Sequence, residues 1–147
     1  MATTSTLVTF KTALVSALQT KLTGVQVAYA WPGPDTAPES VYLDTEAAGE
    51  QRIPHLTAGR KTRDEIYRVT VIVWVAQPDG TVTSAETCES RAHALMSGVE
   101  DVLADTPRLT SAIQWAEPVA VESMLLPLDK GWGCQVTREV VVHARLA

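Results

Sequence analysis

The spacing of hydrophobic residues changes period several times along this chain. Leucine and phenylalanine first recur every three or four residues between Leu7 and Leu22, which places them on one side of a helix. Ser5 or Thr6 is expected to cap the start of this helix. Gly24 is expected to end it, because glycine accepts the left-handed conformation that follows many helices. The chain therefore begins with one amphipathic helix.

Alternation typical of strands follows the first helix. Residues 25–31 and 40–46 each alternate between apolar and polar positions, which predicts two short strands. Pro32-Gly33-Pro34 separates them, because proline removes a donor from the hydrogen-bond ladder. Val41 and Leu43 are expected to share the buried face of the second strand.

Residues 64–77 form the strongest predicted strand, with two distinct faces. One face is apolar throughout and is expected to lie under the helices: Tyr67, Val69, Val71, Val73 and Val75. The other face mixes polar and apolar side chains and is expected to be partly wet: Ile66, Arg68, Thr70, Ile72 and Trp74.

A second helix and two further strands complete the pattern. Thr83 and Glu86 form a capping box, and the helix is predicted to run to about Ala104. Strands are predicted over residues 112–126 and 134–146. Pro118 lies inside the first of these, which predicts an edge strand or a bulge.

These elements predict a single α+β domain over residues 1–147, in the order α-β-β-β-α-β-β. The sheet is expected to be mostly antiparallel, with both helices packed on one face. A chain of this length, with 46% hydrophobic and 20% charged residues, is expected to fold around its own core.

No set of residues in the sequence indicates catalysis or cofactor binding. Cys88 and Cys134 fall on apolar faces and are expected to be buried free thiols rather than a disulfide. No zinc-binding spacing, phosphate-binding loop or nucleophile elbow occurs, so we expect no metal, no cofactor and no enzyme. The sequence has neither a secretion signal nor an apolar run long enough to span a membrane, which favours assembly in the cytoplasm.

Residues 47–63 lack any period and concentrate positive charge at Arg52, Arg60, Lys61 and Arg63. A long segment of this kind is either a solvated loop or a docking arm that orders against a partner. Specific nucleic-acid binding is disfavoured, because the segment has no aromatic residue and the chain carries a net charge of −5.

The four tryptophans all lie on, or at the ends of, predicted strands. A small domain rarely buries four tryptophans fully, and tryptophan is enriched at protein interfaces. The placement favours an oligomer, although packing beneath the helices remains the alternative.

The order of elements resembles the tail terminator (tail completion) proteins of long-tailed, non-contractile bacteriophages, particularly those of actinobacterial hosts. The features that carry the resemblance are a first helix, a strand that enters a proline-rich turn, a second short strand, a long loop, a long strand, a second helix and two long strands: Leu7–Leu22, Val25–Trp31, Val41–Leu43, residues 47–63, Tyr67–Val75, and the elements after Pro78-Asp79-Gly80.

The resemblance implies a structural role in the neck region of the virion tail. Proteins of this family form a hexameric ring that caps the tail tube and stops its polymerisation. The ring also offers a surface to the head-neck connector protein, and DNA passes through its central hole without specific binding. The implied partners are therefore further copies of the chain, the major tail tube protein and the head-neck connector protein.

Two sets of residues are assigned to these contacts as hypotheses. Arg52, Arg60, Lys61 and Arg63 are expected to dock onto the tail tube. Arg68, Ile72 and Trp74 are expected to join subunits. The alternatives are another head-tail connector or neck protein, a small ligand-binding α+β domain and, least favoured, an enzyme.

Overall fold

The computed structural model describes residues 4–52, 63–77 and 84–146. Two α-helices, six strands and a short 3₁₀ turn occupy these ranges: α1 (Leu7–Lys21), β1 (Gln26–Ala28), the 3₁₀ turn (Gly33–Asp35), β2 (Glu39–Leu43), β3 (Ala48–Arg52), β4 (Arg63–Gln77), α2 (Ser84–Asp105), β5 (Ile113–Leu128) and β6 (Gly131–Leu146).

The strands form one sheet in the order β1-β2-β4-β6-β5. β3 pairs with the first part of β4, and β2 pairs with a later part of the same strand. The β1–β2 pair is parallel, and every other pair is antiparallel. The predicted α+β class with a mostly antiparallel sheet is therefore confirmed.

The core lies between the two helices and one face of the sheet. α1 contributes Phe10, Leu14 and Leu18, which are fully buried, as its spacing predicts. α2 contributes a second buried stripe at helical spacing: Cys88, Ala92, Leu95, Met96, Val99 and Leu103. Burying these side chains removes apolar surface from water and provides the main favourable term in folding.

The faces of the long central strand are also as predicted. Tyr67, Val69, Val71, Val73 and Val75 are buried under the helices, whereas the intervening residues are partly or fully exposed. Two helices covering one face thus leave the other face of the sheet without a helix among the described residues.

β5 lies at the edge of the sheet, and its pairing with β6 shifts register between Pro118 and Val121. The edge position and the bulge that Pro118 predicts are therefore both present. Proline has no N–H to donate to a second neighbouring strand, so strands tolerate it at an edge or at a bulge. Thr83 of the expected capping box lies outside the described residues.

Two expectations about the first half of the chain are wrong. Residues 48–52 form strand β3 rather than the start of an irregular loop, because the backbone of β4 supplies partners for a segment with no apolar alternation. β1 is only three residues long and does not reach Trp31. Its Gln26 side chain instead accepts a hydrogen bond from the Ala37 N–H (2.7 Å), and the chain turns through Gly33.

The start of α1 is held by a residue from the middle of the sheet. Thr6 is the N-cap residue, but its hydroxyl lies 3.0 Å from Oε2 of Glu65 and does not cap the helix. The Thr6 N–H donates to the same oxygen at 3.0 Å, and Ser5 also donates to the Glu65 carboxylate. A buried carboxylate therefore positions the helix relative to β4.

Candidate interaction surfaces

The face of the sheet opposite the helices, here called the outer face, mixes apolar and polar side chains. Its central part is built from alternate residues of β4 and β6, and none of them is fully buried: Ile66, Arg68, Thr70, Ile72, Trp74, Gln135, Thr137, Glu139, Val141 and His143. A broad, half-apolar face is typical of a surface that contacts another protein.

Arg68, Ile72 and Trp74, the hypothetical subunit contacts, share this outer face. Arg68 Nη1 lies 2.8 Å from Oε1 of Glu139 on the neighbouring strand, and its side chain remains 62% exposed. Such an exposed pair adds roughly 0–1 kcal/mol to stability and leaves the guanidinium accessible from solvent. The structure therefore places Arg68, Ile72 and Trp74 together on one accessible surface.

Three aromatic residues converge at one end of the outer face. Trp31, Tyr42 and Trp74 line a depression of about 320 Å³, together with Gly33 and Thr36. Trp31 comes from the turn after β1, which brings it over the sheet although it is not part of a strand. The sequence placed Trp31 and Trp74 on separate strands and gave no sign that they share a site.

Arg138 does not share the outer face with Arg68. It lies opposite Val71 in the β4–β6 register and therefore on the helix side of the sheet. There its Nε lies 3.6 Å from Oε1 of Glu100 on α2. Arg68 and Arg138 lie on opposite faces because a difference of one position in register moves a side chain to the other side of a sheet.

The basic segment is only partly described. Arg52 ends β3 and its backbone lies opposite Asp64, and Arg63 begins β4. Arg63 Nη1 donates to the side-chain oxygen of Gln51 at 3.0 Å. Arg60 and Lys61 lie outside the described residues. Arg52 and Arg63 thus occur at the same end of the β3–β4 pair.

β5 carries an exposed apolar surface that sequence reasoning missed. All six residues from Val119 to Met124 are exposed, although three of them are large and apolar: Val119, Val121 and Met124. The bulge after Pro118 places apolar side chains on both sides of an edge strand. In the sequence, the run of apolar residues Val119-Ala120-Val121 directly after Pro118 could have indicated this exposed surface.

The described residues include one serine–histidine contact. His93 Nε2 and Ser123 Oγ are 3.2 Å apart, and Ser123 Oγ is 3.9 Å from Cys134 Sγ. The first of these contacts joins α2 to β5. Among the described residues, no hydrogen bond joins His93 to a carboxylate, so the orienting partner of a catalytic triad is missing from this part of the chain.

Both cysteines are free and buried, as expected. Burial raises the pKa of the Cys88 thiol and of the Cys134 thiol, and the nearby Cys134 thiol adds to the upward shift at Cys88. Cys88 Sγ also donates to the Val75 carbonyl oxygen at 3.2 Å. A raised pKa lowers the thiolate fraction, so these thiols are poor nucleophiles.

Within residues 4–52, 63–77 and 84–146, no group of three or more His, Cys, Asp or Glu side chains is arranged to hold a metal ion. Neither described helix is long and apolar enough to span a membrane.

No protein-family model matches this sequence, and no curated protein matches it either. A solved structure does resemble the fold. It is a chain from the virion of a native gene transfer agent (GTA) particle, with a TM-score of 0.60 and 13% sequence identity. The likeness covers 98% of this chain and 98% of that chain. At this identity, what the likeness shows is a common fold over the whole length.

Proposed function

We propose that this chain is a structural virion protein that forms a closed ring on the end of a phage tail tube, stops tube polymerisation and offers the attachment surface for the head and neck. The observation that carries the proposal is the end-to-end likeness to a chain of a gene transfer agent virion. The resemblance to tail terminator proteins in the order of elements supports the finer assignment. The structural likeness and the order of elements both favour a role in assembly over catalysis.

The surfaces of the chain suit assembly. A ring requires heterologous contacts, in which one patch of each subunit meets a different patch of the next. The outer face supplies Arg68, Ile72 and Trp74 as candidate contacts, and the exposed β5 edge supplies a second apolar surface. We propose that six copies close the ring through surfaces of this kind.

The tube-facing contact is assigned to the basic segment. Arg52, Arg60, Lys61 and Arg63 place four positive charges within twelve residues of a chain whose net charge is −5. Opposite charge on a partner raises the rate and specificity of docking. The acidic balance of the remaining chain suits a channel wall along which DNA slides without being held.

A tube-capping assay tests this function. Purified tail tube protein is allowed to polymerise with and without the chain, and tube lengths are measured in electron micrographs. We expect the wild-type chain to give shorter tubes with extra density at one end. Binding only to a portal-side ring, with tube length unchanged, would identify a neck protein instead.

Charge reversal at Arg60 and Lys61 tests the docking residues. The double variant R60E/K61E is expected to fold and form rings but to lose capping. The matched control is K130E, which reverses an exposed charge in the turn between β5 and β6. Capping that survives in R60E/K61E would rule out the basic segment as the docking arm.

A further inference from the structure

Exposed apolar side chains occur in two separate regions of the described chain. Five of the eight large ones belong to β5: Trp115, Val119, Val121, Met124 and Leu128. The other three belong to α1 and the turn after β1: Val8, Tyr29 and Trp31. β1 and β5 are the two ends of the strand order, so these regions lie on opposite edges of the sheet.

We infer that the β5 edge of one copy packs against the Tyr29–Trp31 corner of the next copy. This contact rests on the proposed ring and specifies which surfaces join its subunits. The β5 patch is defined here as Val119, Val121 and Met124, and the aromatic corner as Tyr29 and Trp31.

The β5 patch lies on a sheet edge that is only partly protected. β5 is sixteen residues long and pairs with β6 on one side only, so its other side presents unpaired backbone groups within the described chain. Soluble proteins blunt such edges with lysine, proline, a bulge, a short strand or a covering element. β5 has Pro118 and the bulge after it but no lysine and no arginine, and Val119, Val121 and Met124 remain exposed beside the bulge. Another polypeptide is therefore the expected cover for these side chains.

The aromatic corner is rigid and accessible. The Lys11 ammonium lies 4.3 Å from the centre of the Tyr29 ring, a cation–π contact that fixes the ring against α1. Trp31 is 65% exposed, the largest value among the exposed apolar residues of the described chain. Large aromatic side chains with few rotamers are the typical energetic centres of protein interfaces.

The edge formed by α2 and β5 is acidic, whereas the charge beside β1 is mixed. α1, which packs beside β1, contains Lys11 and Lys21 and no acidic residue. α2, which packs on β6, β4 and β5, contains five acidic residues and one arginine: Glu86, Glu89, Glu100, Asp101, Asp105 and Arg91. The charged residues of β5 are both glutamates. Lys11 is buried, and Asp35 and Glu39 add negative charge beside β1, so a head-to-tail contact lessens the repulsion that the acidic edge would meet against a second copy of itself.

The same charges disfavour the symmetric alternative, in which β5 pairs with β5 of a second copy. An antiparallel pair centred on the exposed stretch around Ala120 would place Glu117 near Glu122 of the other copy. Like charges in opposite positions of a strand pair are destabilising. A heterologous contact between the two edges avoids this and also allows a closed ring.

Mixing two complementary variants tests the inference. V119D/V121D damages the β5 patch and leaves the aromatic corner intact, whereas Y29D/W31D does the reverse. S90D/S97D, which adds the same charge to exposed positions of α2, is the control. Molar mass is measured by light scattering, and circular dichroism confirms folding. If an aspartate variant does not fold, serine replaces aspartate at the same positions.

We expect rings from the wild type and the control, and monomers of 15.8 kDa from each double variant alone. An equimolar mixture of the two double variants is expected to give a heterodimer of twice that mass and nothing larger, because one intact pair of patches remains. A monomeric mixture would overturn the inference. So would a dimer of Y29D/W31D alone, which would indicate β5–β5 pairing.

The edge contact and the proposed ring are separable by experiment. Rings that persist in both double variants would overturn the edge contact and leave the ring intact. A wild-type chain that never self-associates would overturn the proposed ring, and the edge contact with it.

Discussion

The indole ring of Trp74 lies directly against the backbone of Gly133 on the adjacent strand. A Cβ atom added to residue 133 would come within 2.3 Å of the Trp74 Cη2 atom. The absence of a side chain at Gly133 therefore leaves the space that the Trp74 ring occupies on the outer face. Trp74 in turn lines the depression that Trp31 and Tyr42 share.

Replacing Gly133 with alanine is expected to displace the Trp74 ring and lower the free energy of unfolding by about 1–3 kcal/mol, the usual cost of overpacking. Urea unfolding gives the energy, and near-ultraviolet circular dichroism reports the ring. The variant W74A/G133A serves as the control, because it removes the clashing ring. A double-mutant cycle without coupling between the two positions would contradict the contact.

Loss of the Glu65 carboxylate is expected to destabilise the fold. E65A leaves the buried N–H and hydroxyl of Thr6 without their acceptor, an expected loss of about 1–3 kcal/mol in the free energy of unfolding. E65Q retains one acceptor oxygen and should lose less. Exposed Glu122 provides the comparison, with E122A expected to stay within about 0.5 kcal/mol of wild type. Equal effects of E65A and E122A would show that this contact is unimportant.

Stability is expected to fall at high pH partly through Tyr67. Burial raises the pKa of Tyr67 from 10.0 to about 12. The hydrogen bond to Thr6 opposes this shift, and the charge of Glu65 adds a smaller upward contribution. Since the folded chain holds the proton more tightly than the unfolded chain, this contribution is complete below pH 10 and is lost as pH rises through 12.

The variant Y67F isolates this effect. Wild type should lose about 1–2 kcal/mol more than Y67F between pH 9 and pH 12, measured by urea unfolding at each pH. Subtracting the stability of Y67F from that of wild type at each pH cancels the contributions of the other groups with a raised pKa, including Tyr42 and the two thiols. Parallel curves for the two proteins would show that Tyr67 keeps its ordinary pKa in the fold.

Cys88 and Cys134 are expected to resist thiol reagents until the protein opens. Both are buried and both have a raised pKa. Reaction with Ellman's reagent at pH 8 should be on the order of 10²-fold slower in the native chain than in urea. Two rapidly reacting thiols in the native protein would contradict the packing of α2 on β6.

Much of the fold follows from local pattern. The alternation from Tyr67 to Val75 determines both faces of β4, and Pro118 marks an edge strand because its ring nitrogen has no hydrogen. β3 was not predictable in this way. Gly49, Glu50 and Gln51 have no apolar alternation, and their strand depends on backbone pairing with β4.

The candidate surfaces were less accessible from sequence because they depend on distant residues. Trp31 and Trp74 meet only through the turn after β1, and Thr6 finds Glu65 across 59 positions. The placement of Arg68 and Arg138 on opposite faces has a similar origin, since only the register of β4 against β6 decides which face each occupies. Periodicity gives the faces of one strand but not how two strands align.

The central claim is that the chain acts by closing into a ring. Light scattering of the purified chain at increasing concentration, with class averages from electron micrographs of the same sample, tests it most directly. We predict a discrete species of about six times 15.8 kDa with a central hole, which grows at the expense of the monomer. A chain that stays at 15.8 kDa at every concentration, and also in the presence of tail tube ends, would contradict the claim.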